Sequence, residues 1–233
     1  MNRMSVPPTD PRWPKVLSLS VHEFRTPVTV VAGYTRMLLK DRFGTLSDQQ
    51  RKLLEEVEKS CGRLSALLVE VSELSNLEAG TAPLNTGPAD LTAILRDAVE
   101  GLPPLPDREV AVTLDTDAGA MPLEGDPVRL TQALAAVIAA LRRELVGDDP
   151  LIVRARTASG GGYEILIGDH ATLDALANDD AAAPGVFDEW RGGVGLSLAV
   201  ARRILNAHGA VIFAPPTGIK SGARIRFLKT GSS

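Results

Sequence analysis

The sequence predicts an α+β chain, in which a two-helix hairpin forms a homodimeric four-helix bundle and an α/β sandwich follows. Three observations predict it. Apolar residues up to Gly80 recur at alternating spacings of four and three, the period of a buried helix seam. A short Gly/Pro stretch, residues 81–88, ends that pattern. Beyond it, short β-rich runs alternate with amphipathic helical segments, as in helices layered on one face of a mixed sheet.

Residues 1–11, with Pro7, Pro8 and Pro11, read as a flexible lead-in without room for a sensor domain, and the hairpin occupies residues 12–80. From about Pro14 to Lys40, Leu17, Val21, Phe24, Val28 and Val31 form the seam, and Leu38 continues it. Asp41 to Leu46, containing Gly44, make a turn. Ser47 with Gln50 three residues on is a capping box for the second helix. That helix carries Leu54, Val57, Cys61, Leu64, Leu68 and Val71, with Leu74 and Leu77 behind, and stops at Gly80. Two long helices with narrow seams bury too little alone; two hairpins sharing one core solve this, which predicts a homodimer.

The second half, residues 84–229, opens with a helix from Asp90 to Val99, with Leu91, Ile94, Leu95 and Ala98 inward. A strand at Glu109–Leu114 and a helix from about Pro127 to Leu145 follow. Leu151–Thr157 and Tyr163–Ile167 read as strands paired around Gly160-Gly161-Gly162. A loop is predicted from His170 to Arg191, then a helix from Val194 to His208, and closing strands at Val211–Ala214 and Ala223–Leu228.

Composition narrows the function classes. The 233 residues suffice for two modest cores, and 25 basic against 29 acidic side chains, net −4, argue against a nucleic-acid binder. The single cysteine, Cys61, sits at a seam position and reads as packing. No apolar run reaches the ~18 residues of a membrane span and no signal peptide opens the chain, so a cytoplasmic protein is expected.

The chemistry concentrates in Ser20-Val21-His22-Glu23-Phe24-Arg25-Thr26-Pro27. On a helix His22 and Thr26 are i, i+4 neighbours, with Ser18 one turn before on the same side. Pro27 lacks an N–H and crowds the Glu23 carbonyl, which predicts a bend beside the imidazole. His22 lies off the seam, open to solvent and to a partner. A His-Glu-x-x-His zinc site is excluded because Thr26 holds the fifth position, so no metal ligand is assigned.

This block resembles the H-box (His-Glu-x-x-Thr-Pro) of the dimerisation and phosphoacceptor domain of bacterial histidine kinases. The second half resembles their ATP-binding catalytic domain, of the Bergerat/GHKL-like ATPase fold, and together the two cover nearly the whole chain. The resemblance implies that His22 is the phosphoacceptor and Glu23 its partner on the other ring nitrogen. It makes Thr26 the position that can orient a water for dephosphorylation of a receiver. Arg25 is given a structural role.

The family's three nucleotide-binding elements are incomplete here. Asp126-x-x-Arg129-Leu130-x-Gln132 matches the approach to the N-box, but the positions of its asparagines, which bind Mg²⁺ and phosphate, are Ala136 and Ala140. A methyl group cannot ligate a hard cation. The Asp-x-Gly-x-Gly element aligns with Asp169-His170-Ala171-Thr172-Leu173, so the aspartate that meets adenine is kept and both glycines are lost. Gly193 and Gly195, before the Val194–His208 helix, keep two glycines of three in the last element; a plain loop-to-helix junction reads the same way. His208 and the isolated His170 are assigned no chemistry, and Arg142, Arg143 and Glu144 read as an ordinary polar helix face.

The expected function is phosphotransfer between His22 and a response-regulator receiver aspartate, with weak or absent ATP binding and autophosphorylation. A homodimer, a receiver domain supplying its own Mg²⁺ and acidic pocket, and an upstream kinase are the implied partners. Asp169, Gly193 and Gly195 would be a vestigial nucleotide site, with ATP and Mg²⁺ as cofactors only if the chain is instead an active sensor kinase with an altered site. A receiver phosphatase using Glu23 and Thr26, and a non-enzymatic adaptor, are the other readings.

Overall fold

A computed structural model describes residues 13–116, 119–146, 149–158, 161–178, 185–215, 219 and 221–228; the lead-in at 1–11 lies outside them. Contacts divide the chain into two units, Met1–Ala82 and Pro83–Ser233.

The first unit is the hairpin. Helix α1 spans Trp13–Leu39 and α2 spans Asp48–Glu78. The Ser47 capping box is complete: its hydroxyl accepts the Gln50 N–H, and the Gln50 side chain accepts the Ser47 N–H at 2.9 Å. The helices run antiparallel, as three contacts record. Ser75 Oγ donates to Pro14 O at 2.7 Å, Arg36 meets Glu58 at 2.9 Å, and Arg51 donates to Leu39 O at 2.9 Å. Arg51 also pairs with Asp41, whose carboxyl is held below its ordinary value by the Leu46 N–H and by Arg51. The core of the single hairpin is thin: Val21, Ala32, Thr35, Cys61 and Ser75 are buried. Seam residues Phe24, Val31, Val57 and Leu64 are between 40% and 60% exposed, so one hairpin leaves part of its own seam uncovered. Among the described residues no helix is long and apolar enough to cross a membrane.

The second unit contains β1 (Gly87–Asp90), α3 (Leu91–Glu100), β2 (Val112–Thr116), β3 (Pro122–Gly125) and α4 (Pro127–Glu144). Then follow β4 (Leu151–Thr157), β5 (Tyr163–Gly168), α5 (His170–Asn178), β6 (Gly185–Val186), α6 (Ser197–Ala207), β7 (Ala210–Ala214) and β8 (Ala223–Phe227). β1 and β3 form an antiparallel ribbon; the main sheet has the order β2-β4-β5-β8-β7-β6, with only β2–β4 parallel. The helix and strand pattern is as expected, with two corrections. The sequence reading lacked the β1–β3 ribbon, and it placed a loop where α5 and β6 stand.

Register separates the two sheet faces. Val153, Ile167, Ala155, Ile165, Ile225 and Ile212 lie on one face and are buried with the apolar sides of α3, α4 and α6. The other face carries Ile152, Leu166, Glu164, Arg154, Arg156, Arg224 and Arg226. Leu173 and Leu176 of α5 cover Ile152 and Leu166 there, so helices cover both faces, not one as expected. The rest of this face is an ion-pair ladder. Glu164, buried, accepts from Arg226 at 2.8 Å and from Arg156 at 2.7 Å, and Arg224 lies 3.2 Å away. Arg154 pairs with Asp115 of β2 at 2.7 Å.

Candidate functional site

His22 stands in the second quarter of α1, on the side that does not face α2, with its side chain 78% exposed. Glu23 is the next residue and equally open, and its Oε1 lies 3.4 Å from His22 Nδ1. With Nδ1 facing a carboxylate, Nε2 is the nitrogen left outward, where an electrophile can reach it. Pro27 lies inside α1 and supplies no N–H to the Glu23 carbonyl.

The hydroxyls around the imidazole are not equivalent. Ser20 and Thr29 bond carbonyls one turn back, to Val16 O at 2.9 Å and Arg25 O at 2.8 Å. Thr26, exposed and one turn from His22, makes no such bond among the described residues. Its hydroxyl is therefore available to a water or a docked partner. His22, Glu23 and Thr26 share one open stretch of helix, and helical spacing alone brings them together.

The C-terminal unit holds the other sequence-predicted residues. Asp126 caps α4: its carboxylate accepts the N–H of Arg129 at 3.1 Å and of Asn85 at 3.0 Å. Burial raises its carboxyl pKa, but those two N–H bonds and the Arg129 guanidinium outweigh it and leave the group below its ordinary value. His208, past the end of α6, is structural. The Asp126 N–H donates to its Nε2 at 3.0 Å, so the proton is on Nδ1, which donates to Ile204 O at 2.7 Å.

Asp169 caps α5: its Oδ1 accepts the Thr172 N–H at 2.7 Å. Thr172 is buried, donates to Ser221 O at 3.2 Å, and fits closely against Gly168, where a β-carbon would come within 2.5 Å of its Cγ2. Leu173, at the position of a lost glycine, is a buried core residue. The segment read as a filled-in nucleotide loop is thus a packed, capped helix.

Ala136 is half-buried and Ala140 fully buried on α4. Gly193 and Gly195 are exposed and have φ of +60° and +67°, the left-handed region that favours glycine. The polar end of α4 is not an ordinary face. Arg142 is buried, and burial lowers its pKa, as does neighbouring Arg143. Arg143 donates to Gly193 O at 3.2 Å, and Glu144 forms a bidentate pair with Arg191. Sequence reasoning missed Arg143, Glu144, Arg191 and Thr172; Glu144 and Arg191 are 47 positions apart, beyond any local pattern.

Residues 15–80 match the His Kinase A (phospho-acceptor) domain. Beyond that hairpin, the chain is similar to bacterial histidine kinases over most of its length. It is 28% identical over 202 residues to the signal transduction histidine-protein kinase BarA of Escherichia coli K12, covering 82% of this chain and 22% of BarA. It is 27% identical over 207 residues to the circadian input-output histidine kinase CikA of Synechococcus elongatus, covering 84% of this chain and 27% of CikA. The chain therefore spans about a quarter of the length of these curated relatives. Among solved structures, full-length ShkA in complex with AMPPNP superposes with a TM-score of 0.69 at 23% identity, over 92% of this chain and 45% of ShkA. The Acinetobacter baumannii histidine kinase AdeS gives 0.56 at 23% identity, over 90% of this chain and 98% of AdeS. These likenesses establish the fold, a phosphoacceptor hairpin followed by a GHKL ATPase-like domain.

Proposed function

We propose that this protein is of the histidine kinase family and acts in cytoplasmic two-component signalling as a phosphotransfer protein. It would exchange a phosphoryl group between His22 and an aspartate of a response-regulator receiver domain, without charging His22 from its own nucleotide. The observation that carries this reading is the contrast between the two halves. The imidazole is fully presented, with Glu23 on Nδ1 and Nε2 outward. The C-terminal unit offers Ala136 and Ala140 where oxygen ligands are needed, and Asp169 is engaged as a helix cap. The residues present do not fit a magnesium nucleotide.

In the transfer, the Nε2 lone pair attacks phosphorus of the receiver's aspartyl-phosphate. The N–P bond forms as the acyl P–O bond breaks, and the aspartate leaves as a carboxylate. The Nδ1 proton stays on the ring and faces Glu23, which offsets the positive charge that develops on the imidazole. The reverse steps return the phosphoryl group. The half-exposed seam of Phe24, Val31, Val57 and Leu64 supports a homodimer, two hairpins closing one bundle.

The test is incubation with a phosphorylated receiver domain. Acid-labile, base-stable label should move onto the wild type and not onto His22→Ala; equal labelling of the two would sink the reading. A second reading, an ATP-dependent kinase, is favoured by the ShkA neighbour, which was solved with AMPPNP. Label from γ-labelled ATP on His22 would select it.

A further inference from the structure

The segment between β6 and α6 is anchored to α4 and α6 at several points from Phe187 to Gly193. Phe187 is buried, and the Arg191 guanidinium stacks 5.5 Å from its ring centroid. Asp188 Oδ1 accepts the Trp190 N–H at 2.9 Å. Glu189 binds Arg202 at 3.1 Å and also Arg203, both on α6. Arg191 forks onto Glu144, and Arg143 reaches Gly193 O. Between those two anchors lies the closest approach. Gly192 has φ of +72°, and a β-carbon built on it would lie 2.7 Å from Ala140 Cβ, 2.8 Å from its Cα and 3.0 Å from its carbonyl oxygen. Backbone rests on backbone, with one methyl group between.

We propose that residues 187–193 are a fixed strap lying across α4 and α6, and that alanine at 140 is what allows the strap to seat. The claim rests on the reading that the C-terminal unit does not charge His22, and it goes further by giving the loss a steric cause. Ala140 is doing two things at once: it removes an oxygen ligand, and it opens the space that Gly192 fills. An asparagine at 140 would extend an amide from a β-carbon that already touches the strap, and Gly192, at a positive φ and pinned on both sides, has no side chain to rearrange. Restoring the amide therefore displaces the strap; it does not rebuild a magnesium site.

The test uses the full chain with Trp13→Phe, so that Trp190, 65% exposed, is the sole tryptophan reporter. In Ala140→Asn, tryptic cleavage after Arg191, followed by mass spectrometry, should accelerate at least tenfold, and Trp190 anisotropy should fall. Binding of Mg–ATP should stay undetectable by calorimetry. An unchanged cleavage rate and anisotropy would overturn the proposal, as would micromolar Mg–ATP affinity with the strap still protected. If Ala140→Asn does not fold, Glu144→Gln decides: it should release Arg191 and speed the same cleavage, and no change there also overturns the strap. Label transfer from a phosphorylated receiver, run on the parent protein, keeps the two ideas apart. Its failure would count against phosphotransfer and leave the cleavage result standing.

Discussion

Glu164→Ala is the substitution whose cost the structure specifies most closely. Its carboxylate serves three guanidinium groups, and these differ in what they can do without it. Arg156 and Arg226 have side chains 34% and 37% exposed, so water can replace the lost partner, and each should forfeit the ~0–1 kcal/mol of an exposed ion pair. Arg224 is 9% exposed and stays in place, losing the carboxylate 3.2 Å away; breaking a buried pair in this way costs ~3–5 kcal/mol. The buried arginine therefore dominates. With a urea m-value of ~1–3 kcal/mol/M, the C-terminal unit's midpoint should fall by roughly 2 M. The sign of the pH dependence is fixed as well. Burial raises the Glu164 pKa, but the Arg226 and Arg156 hydrogen bonds and the Arg224 charge lower it more, so the net shift is downward. Its contribution is complete above the ordinary carboxylate range and is lost as pH falls through the folded value. Urea melts followed by circular dichroism should show the mutant's deficit at pH 7 shrinking in acid. A deficit below about 1 kcal/mol, or one unchanged by pH, would refute the assignment of Arg224 to a buried pair.

Asp169→Ala should cost ~1 kcal/mol as a lost cap, and Asp169→Ser should recover most of it in thermal melts; a purely ligand-binding aspartate would show neither. Asp126→Ala removes a cap and also strands the Asn85 N–H, so the loss should reach ~2–4 kcal/mol, and the wild-type advantage should fade as pH drops below the ordinary carboxylate range. Phe24→Asp, at 60% exposure, should leave the hairpin helical by circular dichroism while halving the sedimenting mass at micromolar concentration; an unchanged mass would remove the seam from the dimer interface.

The hairpin was legible because its information is local. A period of 3.5, a capping box and a terminal glycine all lie within one helix length of the residues they govern. The presented imidazole was legible for the same reason, since His22, Glu23 and Thr26 need only helical spacing. Helix α5 was not. His170 to Asn178 has one pair of deeply buried leucines, Leu173 and Leu176, and owes its position to a cap, a threonine against a glycine, and two sheet residues. The β1–β3 ribbon hid behind prolines and glycines that read as turn material, namely Pro88, Pro122 and Gly125. The strap eluded sequence reasoning altogether. Gly192 meets Ala140 across more than fifty positions, and neither residue type announces a contact.

His208 ties together three points of the chain. Its ring receives the Asp126 N–H and grips the last turn of α6, while the Asp126 carboxylate holds the amide of Asn85. Asn85 is where the polypeptide arrives from the hairpin. One imidazole and one carboxylate thus fasten the first residues of the C-terminal unit to the start of α4 and the end of α6, three stretches far apart in sequence.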